Sequence, residues 1–162
     1  MKSLTLNTQS EAESHALGVA IGKRLRVHDF IGLTGQLGAG KTLLSRGIAE
    51  GAGIPVGEVS SPTYSIVQTY RGTHLVLHHA DLYRLTNEAD LYATGYYDLL
   101  ETDSAFLVEW INHIPEAAPE DAVMLIIEVN DTARSFQFTA TGPNSEQLLS
   151  ALNEWSTSDL RG

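Results

Sequence analysis

The residues able to do chemistry begin with Gly35-Gln-Leu-Gly-Ala-Gly-Lys-Thr42, a glycine, four residues, then Gly-Lys-Thr. This is the Walker A or P-loop pattern. Its glycines let backbone N–H groups turn inward on phosphate, and a helix beginning at its end adds partial positive charge. Lys41 is expected to reach the β- and γ-phosphates of a nucleoside triphosphate, and the Thr42 hydroxyl to sit on Mg²⁺. Hydrolysis needs more: an acid near the metal and a group that positions water. Ligands of α/β sheets lie outside the carboxyl ends of parallel strands, so an acid ending an apolar strand is the candidate. Glu109 ends Ala105-Phe-Leu-Val108, and Asp81 ends His74 to Ala80. On the residues alone both stand as candidates.

Four further positions invite a role. Trp110 follows Glu109 and reads either as packing or as a gate beside the metal. Thr63, in Pro62-Thr-Tyr64, lies in a loop able to face the γ-phosphate or in a capped turn. Arg71 and Arg84 read as surface ion-pair partners before charge-stabilising arginines. His78 and His79 are neighbours on an expected strand and so face opposite sides. His74 and His78 are too far apart for a common zinc, and no transition metal is assigned.

These residues need elements to hold them. Phe30-Ile-Gly-Leu-Thr34 reads as a buried strand, with the strand taken from Val27 to Thr34, and 41 to about 51 as the helix after the loop. Gly51-Ala-Gly53-Ile-Pro55 ends that helix. Upstream, Ser3 to Asn7 suits an edge strand. Ser10 and Glu13 form a capping-box pattern ahead of Ala16, Leu17, Ala20, Ile21 and Leu25 at helical spacing. Residues 64–70 and 74–80 form a hairpin about Arg71-Gly72-Thr73. Asn87 to Tyr92 is a short helix broken by Gly95, and Tyr96 to Leu100 is another turn. Ser104 to Glu109, Ala122 to Val129 and Ser135 to Thr141 are strands, with a loop between Pro115 and Pro119. Ser145 to Trp155 is an amphipathic helix with Leu148, Leu149 and Leu152 on one face, and 156–162 is a loose tail. Early alternation of strands and helices followed by hairpins predicts a three-layer α/β domain with a parallel core sheet and antiparallel flanking strands. The 162 residues are expected to form one such domain.

Ten basic and twenty acidic residues leave a net charge of −10. Proteins that grip nucleic acid unaided carry a basic face. Here the one basic cluster, Lys23-Arg24-Leu25-Arg26, reads as a solvated helix end favoured by the helix dipole. The balance argues against direct tight binding to RNA or DNA and leaves room for a basic protein partner. Absence of cysteine, of an apolar N-terminal core and of a membrane-length apolar run suits a soluble cytoplasmic protein.

In order along the chain stand Gly35 to Thr42, Ser61-Pro-Thr-Tyr64, His79-Ala-Asp-Leu-Tyr-Arg84 and Val108-Glu-Trp110. Together they resemble the TsaE (formerly YjeE) family of small bacterial ATPases, over roughly residues 4 to 155. The resemblance implies a subunit of the machinery making threonylcarbamoyladenosine at position 37 of certain tRNAs. In it ATP and Mg²⁺ are the cofactors, the TsaD and TsaB proteins are the partners, and tRNA is met only through the complex. Carried over by motif, Lys41 and the amides of Gly35, Leu37, Gly38, Ala39, Gly40, Thr42 and Leu43 hold phosphates. Thr42 and Glu109 hold Mg²⁺, and Asp81 is the catalytic or water-positioning acid. Thr63 lies in the first switch-like loop, Trp110 beside the metal, Ser14 by the adenine, and Arg134 toward the nucleotide. Three positions depart from the family pattern. Gln36 replaces an acid, Leu43 a second threonine and Ala80 a common aromatic, the last expected to loosen Asp81.

Other functions compete. A nucleotide-gated binding module would use ATP occupancy as its signal. A small-molecule kinase would need an arginine-dense lid, which the seven arginines do not form. A GTPase would need Asn-Lys-x-Asp, and Asn87-Glu-Ala-Asp90 has glutamate in place of the lysine.

Overall fold

The computed structural model describes residues 2–36, 40–55 and 66–156. In chain order the elements are β1 (Ser3–Thr8), α1 (Glu11–Arg24), β2 (Phe30–Gly35), α2 (Lys41–Gly51), β3 (Val67–Arg71), β4 (Val76–Asp81), α3 (Glu88–Tyr92), α4 (Tyr96–Leu100), β5 (Ala105–Glu109), β6 (Val123–Asn130), β7 (Ala133–Ala140) and α5 (Pro143–Trp155). Two 3₁₀ turns follow β5, Ile111–His113 and then Pro115–Ala117, the second inside the expected proline-bounded loop. All seven strands join one sheet in the order β1-β7-β6-β2-β5-β4-β3. β2 runs parallel to β5 and β6, and β4 parallel to β5. β3, β7 and β1 add on antiparallel. This is a P-loop NTPase-like α/β fold with the parallel core the sequence predicts.

The core strands are buried on both faces, which is why they read as continuous apolar runs. Alternation along β2 and β5 divides their side chains between two clusters. Ile31, Leu33, Ala105 and Leu107 pack with Leu17, Ile21, Leu44, Ile48 and Leu149 from α1, α2 and α5. Phe30, Phe106 and Val108 pack on the other side with Leu91, Tyr96, Ile111 and Ile114. Burying each such large side chain is worth about 1.5–3 kcal/mol in transfer free energy. The sheet is thus the middle of three layers.

Helix α2 is held against α1 at backbone range. A Cβ on Gly22 would lie 2.0 Å from the Ile48 carbonyl oxygen, and one on Gly18 2.7 Å from that of Leu44. Glycine is needed there for approach, since neither position has a positive φ. Ala16, expected on the buried stripe of α1, is exposed, and Gly18 and Gly22 share the buried face with Leu17 and Ile21.

Some boundaries differ from the sequence reading. β2 begins at Phe30 rather than Val27, because His28 adopts φ 75° and the Asp29 carboxylate accepts from the Arg26 N–H at 2.8 Å, closing a turn. Ser10 caps α1 by accepting from the Glu13 N–H at 3.2 Å, but Glu13 accepts from the Gln9 N–H rather than that of Ser10. Arg24 donates to the Ala20 carbonyl at 2.9 Å, so part of the basic cluster does serve the end of its own helix. Helix α5 starts two residues early, at Pro143. Ser156, assigned to the tail, is buried and donates to the Asn153 carbonyl. Residues 157–162 lie outside the described residues. Among the described residues no helix is long and apolar enough to cross a membrane.

Candidate functional site

The site sits where β2, β5 and β4 end. Gly40, the residue before α2, has φ 105°, a left-handed conformation glycine tolerates and L side chains rarely adopt. That turn starts α2 at Lys41. The Lys41 side chain is buried, and its Nζ donates to the carbonyls of Gly35 and Gln36, the latter at 2.7 Å. Nζ also stands 4.2 Å from the centroid of the Trp110 ring. Burial pushes the Lys41 ammonium below its ordinary pKa, while the negative charges of Glu109 and Asp81 pull it up.

The two acids are neighbours by register. In the parallel β4–β5 pair Asp81 stands opposite Glu109, and Glu109 stands opposite Leu33 of β2. Strand alternation puts both on the α2 side with Leu33, Leu77 and Leu107. Asp81 Oδ1 accepts from the Tyr83 N–H at 2.9 Å, which fixes its carboxylate. Burial raises the Asp81 pKa above its ordinary value. The Tyr83 hydrogen bond opposes the rise, the charge of Glu109 adds to it, and His79 and Lys41 oppose it.

Ala80 does not bear on Asp81 as the sequence reading supposed. Its side chain belongs to the opposite sheet face, where it is fully buried with Val108 and Leu82. An aromatic there would meet that cluster rather than the carboxylate.

The sequence reading missed the contact that holds Glu109. His79 Nε2 is 2.6 Å from Glu109 Oε2, and both side chains are almost wholly buried, 3% and 4% exposed. His78 faces the other way, as predicted, packing against Phe106 and reaching Thr69 Oγ1 through Nδ1 at 2.8 Å. The signal for the missed contact was present in His79-Ala-Asp81, whose alternation sends residues 79 and 81 to one face beside the end of β5.

Trp110 adopts φ 60°, turning the chain sharply after Glu109. Its ring lies 4.9 Å from Tyr83 and 5.2 Å from His113, centroid to centroid. The Trp110 and Tyr83 rings flank a cleft of about 760 Å³ that also meets Thr34–Gln36 and Ile126. Thr42 is exposed and Leu43 half-buried on the first turn of α2.

Toward the β1 edge, at the same end of the sheet as Gly35, Ser14 is buried with its hydroxyl 2.7 Å from that of Thr8. Thr8 pairs with Arg134 across β1 and β7, so Ser14 and Arg134 share a neighbourhood. Arg134 donates to the Ala133 and Asp131 carbonyls. Leu37, Gly38, Ala39 and Thr63 lie outside the described residues.

The donor set suits Mg²⁺, a hard cation that takes oxygen ligands and keeps several waters beside substrate phosphates. Two carboxylates meet at adjacent strand ends, within electrostatic reach of the lysine that opens α2. Among the described residues no three His, Cys, Asp or Glu side chains form a metal cage, and a nucleotide-bound Mg²⁺ does not require one.

A family model described as "Threonylcarbamoyl adenosine biosynthesis protein TsaE" matches residues 8–136. The chain is 34% identical over 154 residues to the tRNA threonylcarbamoyladenosine biosynthesis protein TsaE of Bacillus subtilis strain 168, covering 94% of this chain and 96% of the relative. It is 37% identical over 121 residues to the protein of the same name from Haemophilus influenzae, covering 75% and 76%. The crystal structure of YdiB from Bacillus subtilis superimposes with a TM-score of 0.74 at 29% identity, covering 94% of this chain and 95% of that one.

Proposed function

The chain belongs to the TsaE family of threonylcarbamoyl adenosine biosynthesis proteins, and on that basis we propose that it is an ATP-binding and ATP-hydrolysing subunit supporting threonylcarbamoylation of adenosine 37 in tRNA. It acts in the cytoplasm with TsaD and TsaB and meets tRNA only through that complex. The observation that carries the reading is the pairing of Asp81 with Glu109 at the ends of parallel β4 and β5, next to the strand that feeds Lys41.

In this reading Lys41, with the amides of Gly35 and 37–43, binds the phosphates. Glu109 and Thr42 hold Mg²⁺, which when bound neutralises charge developing on the transferred phosphoryl group. Asp81 orients the attacking water, and its raised pKa makes it a better proton acceptor than an exposed carboxylate. Trp110 and Tyr83 pack against each other beside the site on its cleft side. Thr63 is assigned to the first switch-like loop, Ser14 to the adenine side and Arg134 toward the nucleotide. Measuring ATP turnover of the chain alone and with the TsaB–TsaD pair tests the proposal. Slow turnover alone and acceleration by the pair are expected; no change on adding the pair would sink it.

One observation favours a second reading. Lys41 is engaged by the carbonyls of Gly35 and Gln36 and by the Trp110 ring, so phosphate must displace existing contacts. That is the behaviour of a nucleotide-gated module in which occupancy is the signal and cleavage resets it. Glu109→Ala separates the two. A single round of modification completed by a variant that binds ATP without cleaving it makes occupancy the signal.

A further inference from the structure

We propose that His79 is a positioning residue for the metal-binding acid, fixing the Glu109 carboxylate so that one oxygen is held and the other is presented to Mg²⁺. The inference rests on the reading of Glu109 as a metal ligand. An ionised carboxylate only accepts, so the 2.6 Å contact requires His79 Nε2–H to donate to Oε2. The other oxygen, Oε1, is assigned to the metal.

The placement is specific. His79 sits opposite Leu107 in the β4–β5 register, two residues before Asp81, so it meets Glu109 diagonally across the strand pair. One short strand segment therefore carries both the acid assigned to water and the donor that holds the acid assigned to metal. A glutamate has three side-chain torsions, and an unrestrained one would lose that freedom when metal binds. Here the cost is met on folding, because both side chains are locked in the interior.

A purely structural origin for the pair is the weaker account. Two polar groups buried at this depth are costly, and apolar residues of similar volume generally serve stability as well or better. Groups that donate to metal-ligating side chains fix ligand orientation, and their loss typically weakens metal binding by about 10–100-fold.

The test uses the full chain and His79→Gln, His79→Asn, His79→Leu and Glu109→Ala variants. Mn²⁺ binding is followed by electron paramagnetic resonance in the presence of a non-hydrolysable ATP analogue, with analogue affinity without metal and thermal unfolding measured alongside. Gln can place its amide N–H near the position of His Nε2, whereas Asn is too short. His79→Leu and His79→Asn are expected to weaken Mn²⁺ binding by about 10–100-fold, with metal-free analogue binding unchanged and His79→Gln restoring most of the loss. Mn²⁺ binding of wild-type strength in folded His79→Leu would overturn the proposal. Should the leucine variant fail to fold, equal Mn²⁺ affinities of the Gln and Asn variants would overturn it. Wild-type Mn²⁺ binding retained by Glu109→Ala would instead overturn the underlying assignment of the metal ligand.

Discussion

Lys41 Nζ lies 4.2 Å from the centroid of the Trp110 ring while donating to two carbonyls of the loop it closes. The lysine assigned to phosphate is thus engaged from both sides, by backbone oxygens and by an aromatic face. A cation over an aromatic ring is worth about 0.5–2 kcal/mol depending on desolvation. A phosphate can displace it, since charge-assisted hydrogen bonds contribute about 1.5–3 kcal/mol.

That contact makes Trp110 a reporter. The chain has two tryptophans, Trp110 and Trp155, and Trp155 lies on α5, packed against the cluster on the α1 side. In a Trp155→Phe variant, adding Mg·ATP is expected to change emission intensity as Lys41 leaves the ring. A Trp110→Phe variant should show little change with the same nucleotide. An equal response from both variants would exclude Trp110 as the source.

Two glycines should fail in different ways. Gly22→Ala drives a methyl to 2.0 Å from the Ile48 carbonyl, so α1 must move off α2. Overpacking of this kind costs about 1–3 kcal/mol, read as a lower urea midpoint. Gly40→Ala meets nothing within 4 Å, yet its φ of 105° is one that L side chains rarely adopt. Its strain falls on the turn that aims Lys41 at phosphate, so nucleotide affinity should drop more than stability. Equal stability losses in the two variants would contradict this division.

The start of α5 gives a pH prediction. The Asp121 carboxylate accepts from the Asn144 and Ser145 N–H groups at 2.9 and 3.0 Å. Burial pushes its carboxyl up, but the hydrogen bonds from Ser145 and Asn144 outweigh that and hold its pKa below the ordinary 3.8. A carboxyl depressed by folding adds stability above its unfolded pKa and loses it as pH falls through the folded value. Asp121→Ala should therefore cost about 1 kcal/mol at neutral pH, the worth of a helix cap. The difference from wild type should shrink in urea titrations run below pH 3.8. A gap that persists at low pH would count against the cap.

Asp121 also marks what local reading could not reach. The strands were legible where burial on both faces makes an unbroken apolar run, as in Ala105–Val108, and α2 because glycine, lysine and a helical stretch stand together. The start of α5 is held in part by the Asp121 carboxylate, which accepts from the Asn144 N–H 23 residues later and which no local pattern reveals. The site divides the same way. Lys41, Asp81 and Glu109 could be named as candidates because the signals for them are local to strand ends and to one loop. The grip of His79 on Glu109 arises only when β4 lies beside β5 in one register. Strand alternation sends Ala80 to the face opposite Asp81, whose carboxylate adjacency along the chain had suggested it would loosen.

Lys41 itself should separate stability from binding. Lys41→Met keeps most of the buried stem and removes the ammonium. Burial holds the folded-state pKa of Lys41 below its ordinary value, so the charged form is disfavoured by folding. Stability linked to this group rises as pH climbs through the depressed value toward 10.5, and at neutral pH the charge opposes the fold. The carbonyls that lose a donor belong to half-buried Gly35 and exposed Gln36, where water can replace it. Lys41→Met is therefore expected to unfold at or above the wild-type temperature while losing nucleotide affinity by at least about tenfold, the loss of one charge-assisted phosphate contact. Thermal unfolding paired with titration of a fluorescent ATP analogue measures both. A variant that melts well below wild type would show that Lys41 holds the empty loop together as well as the phosphates.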